Sequence, residues 1–338
     1  VNHAVAKKEV QRRWKSEALT VTPTTQEVFT SKAIRREAYF ADERTIILQR
    51  DACDAAAVLD KCGLKIDCIV TSPPFYGQRD YGVKGQIGLE DDPQEYINKL
   101  VAVFNAFLPV LKPTASIWVN LGDTYWSGRG QHRSGEIKQE ARRFGLRPQD
   151  KRRPGSWTRA KQLLLIPHRF AIAMQDGDWI VRNDNVWVKP NPIPDQVRDR
   201  CSVSHEYVFH FVRQRFYYFL REKVGREIGN KILPPLDTWT VPPTRGGNGH
   251  KAAFSEELIA LPIKATCPEN GVVLDPFAGS GTTLEFARKH GYRAIGIDLK
   301  KDYCEIMKKS CVASNKRAAK EHVNGTPRLN GRAVADTH

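Results

Sequence analysis

One unit constrains the fold more than any other: 271-GVVLDPFAGSGTTLEFARKHGYRAIGIDL-299. An apolar run ends at Asp275, turns through Gly279 and Gly281, and enters a helical stretch near Thr282; a second apolar run closes on Asp298. Glycines at such a turn let the chain reverse tightly and let a ligand approach the main chain. Asp298 follows Gly279 by nineteen residues, the spacing at which an acid in a dinucleotide-type fold meets ribose hydroxyls. The turn lacks the GK[ST] ending of a phosphate loop, and Leu284 occupies the third glycine position of a GxGxxG pattern. Strand, Asp-Pro-Phe, GxG, helix, strand and terminal Asp together predict a nucleoside-containing cofactor. A doubly wound sheet needs more strands than the residues after this unit can supply, so the others must come from upstream.

Upstream, the periodicity predicts strands at Thr45–Gln49, Ile66–Val70, Ser116–Asn120, Trp179–Val188 and His205–Arg213. Helices are expected at Ala52–Leu59, Pro93–Leu108 and Leu163–Met174, and from an N-cap at Ser255 through Lys264. The expectation is an α/β fold, a doubly wound and mostly parallel sheet in permuted order, with the cofactor half last and loop-rich insertions. The chain divides into a polar, basic extension (1–42), a first half (43–126 and 162–220) interrupted by a basic insertion (127–161), a loop-rich segment (221–250), the cofactor half (251–318) and a loose tail (319–338).

The second informative stretch is 66-IDCIVTSPPFYGQRDYG-82. Pro73-Pro74 ends the sheet ladder and stiffens the loop, because proline has no N–H and a fixed φ. Carbonyls at Ser72 and Pro73 then lack ladder partners and can face a ligand, with the flat ring of Phe75 beside them. Such a site suits a planar group that carries an amine, although SPP alone also fits a rigid turn.

Charge supplies the partner. Lys+Arg 53 against Asp+Glu 38 leaves a net +15, which points to a polyanion. Eleven basic residues and three acids fall between Ser127 and Lys161, a net +8 with Phe144 and Trp157 interleaved. Arg129, Arg133, Arg142, Arg143, Lys151, Arg152, Arg153, Arg159 and Lys161 are therefore candidate nucleic-acid contacts. The seven cysteines form no CxxC pair, so neither a disulfide framework nor a metal site is expected. No apolar run reaches 18 residues, and no membrane span is expected.

TSPPF and DPFAGSGTT, in that order, resemble the catalytic and cofactor motifs of S-adenosylmethionine-dependent DNA amino-methyltransferases of the beta-type arrangement. The resemblance runs over about residues 43–312 and extends to 178-DWIVRNDNVWVKPNPIPDQVRDR-200, 204-SHEYVFHFV-212 and 250-HKAAFSEEL-258; Ser255 stands where that pattern usually has proline. It implies a Rossmann-like methyltransferase fold, S-adenosylmethionine as cofactor and double-stranded DNA as partner. It also implies that Ser72, Pro73, Pro74 and Phe75 form the target-amine site. Phe277, Gly279, Gly281 and Thr282 would wrap the methionine end of the cofactor, Asp298 would hold the ribose, and Asp51 would bind the adenine amine; Asp51 reads equally as a helix N-cap. Thr71, Asp275, Pro276, Ser280 and Thr283, within the same motifs, are expected on the cofactor side.

The resemblance also bears on the base, since Ser-Pro-Pro accompanies cytosine N4 methylation more often than adenine N6 methylation, where Asp-Pro-Pro is usual. The expected reaction is methylation of cytosine N4 after the base is rotated out of the duplex. Adenine N6 methylation, an RNA substrate and a catalytically silent DNA-binding protein are the rivals. The expected location is the nucleoid region of a bacterial or phage-infected cell, or the nucleus of a eukaryotic one.

Overall fold

Strands covered on both faces read as unbroken apolar runs, and the central strands here obey that rule. The computed structural model describes residues 25–126, 159, 161–192, 197–243 and 255–323. Its strands are β1 (Phe40–Ala41), β2 (Thr45–Gln49), β3 (Ile66–Thr71), β4 (Leu111–Leu121), β5 (Ile180–Val188), β6 (His205–Val212), β7 (Arg226–Ile228), β8 (Lys231–Leu233), β9 (Thr238–Thr240), β10 (Val272–Asp275) and β11 (Arg293–Asp298). Nine form one sheet in the order β1-β2-β11-β10-β3-β4-β6-β5-β9, and β7 and β8 pair as a separate hairpin. Neighbours from β2 through β4 run parallel, and β6 lies antiparallel between β4 and β5. The two C-terminal strands thus sit inside the sheet, between β2 and β3, as the permuted order requires.

The helices are α1 (Thr25–Thr30), α2 (Lys32–Glu37), α3 (Ala52–Lys61), α4 (Pro93–Ala106), α5 (Ile166–Asp176), α6 (Glu256–Thr266), α7 (Thr282–Lys289) and α8 (Lys301–Val323). Alternation along each strand sends successive side chains to opposite faces. Ile46, Leu48, Ile117 and Val119 meet Leu59 of α3, Leu100 and Phe104 of α4, and Phe170 of α5. Ile47, Val70, Trp118 and Val273 meet Ile259 and Ile263 of α6, Leu284 and Phe286 of α7, and Met307 of α8. Among the described residues no helix is long and apolar enough to cross a membrane.

The sheet order explains where a ligand goes. From β10 the chain crosses through α7 to β11, whereas from β3 it crosses through α4 to β4 on the other side. The loops leaving β10 and β3 therefore diverge, and a crevice opens at the carboxyl ends of these two strands.

Several expectations need correction. Part of the expected extension is core: Phe29 and Ile34 are fully buried, and β1 pairs with β2. Amphipathic helices of six residues carry too little periodicity to be read from sequence. The strand expected at Ser116–Asn120 begins at Leu111, because Pro113 falls where the pairing with β3 shifts register between Ile66 and Cys68. A proline inside an apolar run ordinarily ends the strand reading. The helix expected at Leu163–Met174 starts at Ile166: Leu163 bridges to Tyr125, and Leu165 turns left-handed at φ 55°. The loop-rich 221–250 segment contains β7, β8 and β9, and α8 runs on to Val323 where a loose tail was expected from 319.

Candidate active site

Thr71 ends β3 and Asp275 ends β10, and a hydrogen bond joins them across 204 residues of sequence. Thr71 Oγ1 donates to Asp275 Oδ1 at 2.6 Å, Phe277 N donates to the same oxygen at 3.1 Å, and Thr283 Oγ1 donates to Oδ2 at 2.7 Å. All three bonds favour the ionised carboxylate, yet burial outweighs them and pushes the Asp275 carboxyl up to about 6. Thr71, Asp275 and Thr283 are each only 1 % exposed, so their side chains tie the two strand ends together. These residues were expected on the cofactor side; their buried side chains brace the glycine turn there.

On the β10 side, Gly279 takes φ +51° and a Cβ there would meet nothing within 4 Å. The main chain is bare at this point and open to a ligand. Gly279 N donates to Asp298 Oδ2 at 3.0 Å and Lys300 N to Oδ1 at 2.7 Å. Burial, helped by the charge of Asp275, raises the Asp298 carboxyl to about 6 against these two bonds. Gly281 takes φ +93°, and a Cβ on it would lie 2.7 Å from Met307 Cγ, so α7 can start against α8 only from glycine. Phe277, Ser280 and Thr282 are half-buried around the turn, and Pro276 is buried behind it. Arg50 N donates to Asp298 O at 3.2 Å, which brings Asp51 to the same end of the sheet. Asp51 Oδ1 accepts from Cys53 N at 2.8 Å and caps α3.

On the β3 side, Ser72 Oγ donates to Asn120 Oδ1 at 3.1 Å, and Asn120 Nδ2 donates to Tyr207 O at 3.2 Å. Asn120 is 5 % exposed and locked by both bonds. With its proton directed at Asn120, the Ser72 oxygen keeps its lone pairs for an incoming donor. Pro73 is buried, while Phe75 is half-buried. The Pro74 carbonyl accepts from Tyr96 Oη at 2.8 Å, which braces the half-buried Pro74 in the loop. Gly77 N donates to Gly88 O at 2.7 Å, which closes the loop on itself. Asn120 and Tyr96 were not among the residues read as site residues in sequence, and Tyr207 lay in the matching segment 204–212 without an assigned role. The one signal was a polar residue ending the apolar run SIWVN.

The basic insertion is rooted beside this site. Trp126, five residues past the end of β4, and residues 161–162 exchange main-chain hydrogen bonds at 2.8 Å. Arg159 and Lys161 are exposed there, and Lys161 pairs with Asp199. Arg129, Arg133, Arg142, Arg143, Lys151, Arg152 and Arg153 lie outside the described residues. The β7–β8 hairpin is approached from the opposite end of the sheet, where Tyr218 N donates to Thr114 O at 3.1 Å and Leu220 N to Ala265 O at 2.8 Å. Thr114 precedes Asn120 by six strand residues, about 20 Å. The chain thus enters segment 221–250 away from Ser72 and returns toward that end of the sheet at β9, which pairs with Val186–Val188 of β5.

Residues 66–309 match the DNA methylase family of N6 and N4 type. The chain is 37 % identical over 255 residues to the type II methyltransferase M.Cfr9I of Citrobacter freundii, covering 75 % of this chain and 84 % of that protein. It is 35 % identical over 265 residues to M.SmaI of Serratia marcescens, covering 78 % and 89 %. Among solved structures, the fold matches PvuII DNA methyltransferase (cytosine-N4-specific) with a TM-score of 0.58 at 17 % identity, over 84 % of this chain and 94 % of that one. It also matches the M1.HpyAVI–SAM complex with a TM-score of 0.53 at 19 % identity, over 79 % and 98 %. The chain belongs to the N6/N4 DNA methylase family and is an S-adenosylmethionine-dependent DNA amino-methyltransferase. The residues present fit that cofactor: a bare glycine turn opens at Gly279, with the Asp298 carboxylate behind it.

Proposed function

We propose that the protein methylates the exocyclic N4 amine of a cytosine in duplex DNA. The resemblance to relatives named type II methyltransferases supports a role in the modification half of a restriction–modification pair. One observation carries the reading: Asn120 Oδ1 accepts the Ser72 hydroxyl hydrogen bond and leaves the hydroxyl oxygen as acceptor, next in sequence to the Pro73 carbonyl.

S-adenosylmethionine supplies an electrophilic methyl group on a sulfonium. The nitrogen that must attack it is weak, because its lone pair is delocalised into the ring. Ser72 Oγ and the Pro73 carbonyl would each accept one N–H bond of the amine. That hold favours a tetrahedral nitrogen with its lone pair aimed across the crevice, and it stabilises the positive charge that develops there. Phe75 would stack on the base after it leaves the duplex. Asp298 would hold the ribose hydroxyls, the turn from Phe277 through Thr282 the methionine end, and the second oxygen of Asp51 the adenine amine. The basic residues from Arg129 to Lys161 would hold the DNA backbone.

A neutral Ser at position 72, where adenine enzymes of this resemblance usually carry Asp, supports cytosine. The named specificity of the PvuII enzyme, which shares the fold, accords with it. The family also includes adenine N6 enzymes, which makes that base the second reading. Incubation with labelled S-adenosylmethionine and unmethylated duplex DNA, then mass spectrometry of the digested nucleosides, is expected to yield N4-methylcytosine. N6-methyladenine instead would overturn the base, and no modified nucleoside would overturn the substrate.

A further inference from the structure

Just past the end of β4, at Gly122, the chain runs against the ring of Phe75. A Cβ built on Gly122 would lie 2.7 Å from Phe75 Cε2, 3.1 Å from Cδ2 and 3.4 Å from Glu206 Cγ. Real side chains do not tolerate the first of these distances, so any residue larger than glycine must displace the ring. The ring cannot retreat with its backbone, which is held on the far side. Gln78 N donates to Phe75 O at 3.3 Å, Gly77 N donates to Gly88 O at 2.7 Å, and Gly88 lies so near that a Cβ added to it would be 3.1 Å from Phe75 O. The preceding carbonyl, of Pro74, is held by Tyr96. The stem of Glu206 reaches the same spot, fixed by the ion pair of its carboxylate with Lys189.

Residues 120 and 122, at and just past the end of β4, both meet the SPPF loop. Asn120 engages Ser72 and Gly122 receives Phe75, so one short stretch templates both ends of the SPPF loop. We infer that Gly122 is a positioning residue: its missing side chain sets the orientation of the Phe75 ring, and hence the plane in which the target base is held against the Ser72 and Pro73 acceptors. The inference rests on reading residues 72–75 as the amine site. Glycine is required here by a neighbour's ring, not by its own φ, since the main chain at 122 lies outside the left-handed region.

A double-mutant cycle on the full chain tests it, with methyl transfer to unmethylated duplex DNA as the assay. Gly122→Ala is expected to lower kcat by roughly 10- to 100-fold, the scale of a misplacement of about 1 Å, with S-adenosylmethionine affinity unchanged. In a Phe75→Leu background, where the ring is gone, the same Gly122→Ala change is expected to cost less than about 2-fold, because the contact it disturbs no longer exists. An equal penalty in both backgrounds, or none in either, overturns the inference. Phe75→Leu alone tests the underlying reading, because undiminished turnover would remove Phe75 from the site and the inference with it. If Gly122→Ala by itself fails to fold, a double variant that folds with the activity of Phe75→Leu supports the ring clash, and one that also fails to fold overturns it.

Discussion

Across the crevice between β10 and β3, strands about 4.8 Å apart, the two walls handle charge differently. The cofactor wall carries two carboxylates, Asp275 and Asp298, each raised to about 6 by burial. On the amine wall the Ser72 hydroxyl meets a neutral amide, Asn120. An aspartate with a folded pKa above its unfolded one binds extra protons when folded. Its contribution to stability is full below about 4 and is lost as pH rises through about 6. Ionised, both groups are therefore held at some cost near neutrality, and a donor arriving at Asp298 relieves part of it. The amine wall has no such dependence built into the Ser72–Asn120 contact, since neither side chain titrates in this range. If the proposed roles hold, binding and chemistry are expected to respond separately to pH.

The sharpest test of this separation is Ser72→Ala. Turnover is expected to fall by about 100-fold or more, as for removal of one preorganised partner of a developing charge, with cofactor affinity unchanged by calorimetry. Equal turnover would remove Ser72 from the chemistry. Asp298→Ala should do the converse and weaken S-adenosylmethionine binding by roughly 10- to 100-fold, the range of a hydrogen bond to a charged group. In the unaltered protein that affinity should fall as pH drops through about 6, where Asp298 takes up its proton; a flat profile from pH 5 to 8 would break the comparison. Asn120→Ala frees the Ser72 hydroxyl to rotate and should lower turnover by about 10-fold at constant cofactor affinity. The smallest effect is expected from Arg159→Ala with Lys161→Ala. DNA affinity should lose about one unit of salt slope per phosphate contact removed, measured by titration at several salt concentrations.

Much of the cofactor wall was legible because its signals are local. Gly279, Gly281 and Asp298 lie within one strand–turn–helix–strand unit, where spacing alone places an acid beside a turn. The SPP loop was legible for the same reason, since two prolines end a ladder whatever surrounds them. The inward turn of Thr71, Asp275 and Thr283 was not, because it depends on which strand lies beside β10. Tyr96 on the Pro74 carbonyl and Gly122 under the Phe75 ring were equally invisible, each being half of a contact with a distant residue. Residues 25–41 were misread as an extension because two helices of six residues bury only Val28, Phe29 and Ile34.

By itself the sequence determined the α/β alternation, the permuted order and the proline and glycine turns of the two loops, because these follow from periodicity and from residue types a few positions apart. Only the tertiary structure decided that β3 and β10 lie side by side, that Asn120 accepts the Ser72 hydroxyl bond, and that the chain enters segment 221–250 at the far end of the sheet. Strand order sets those distances, and strand order comes from packing apolar faces between residues hundreds of positions apart.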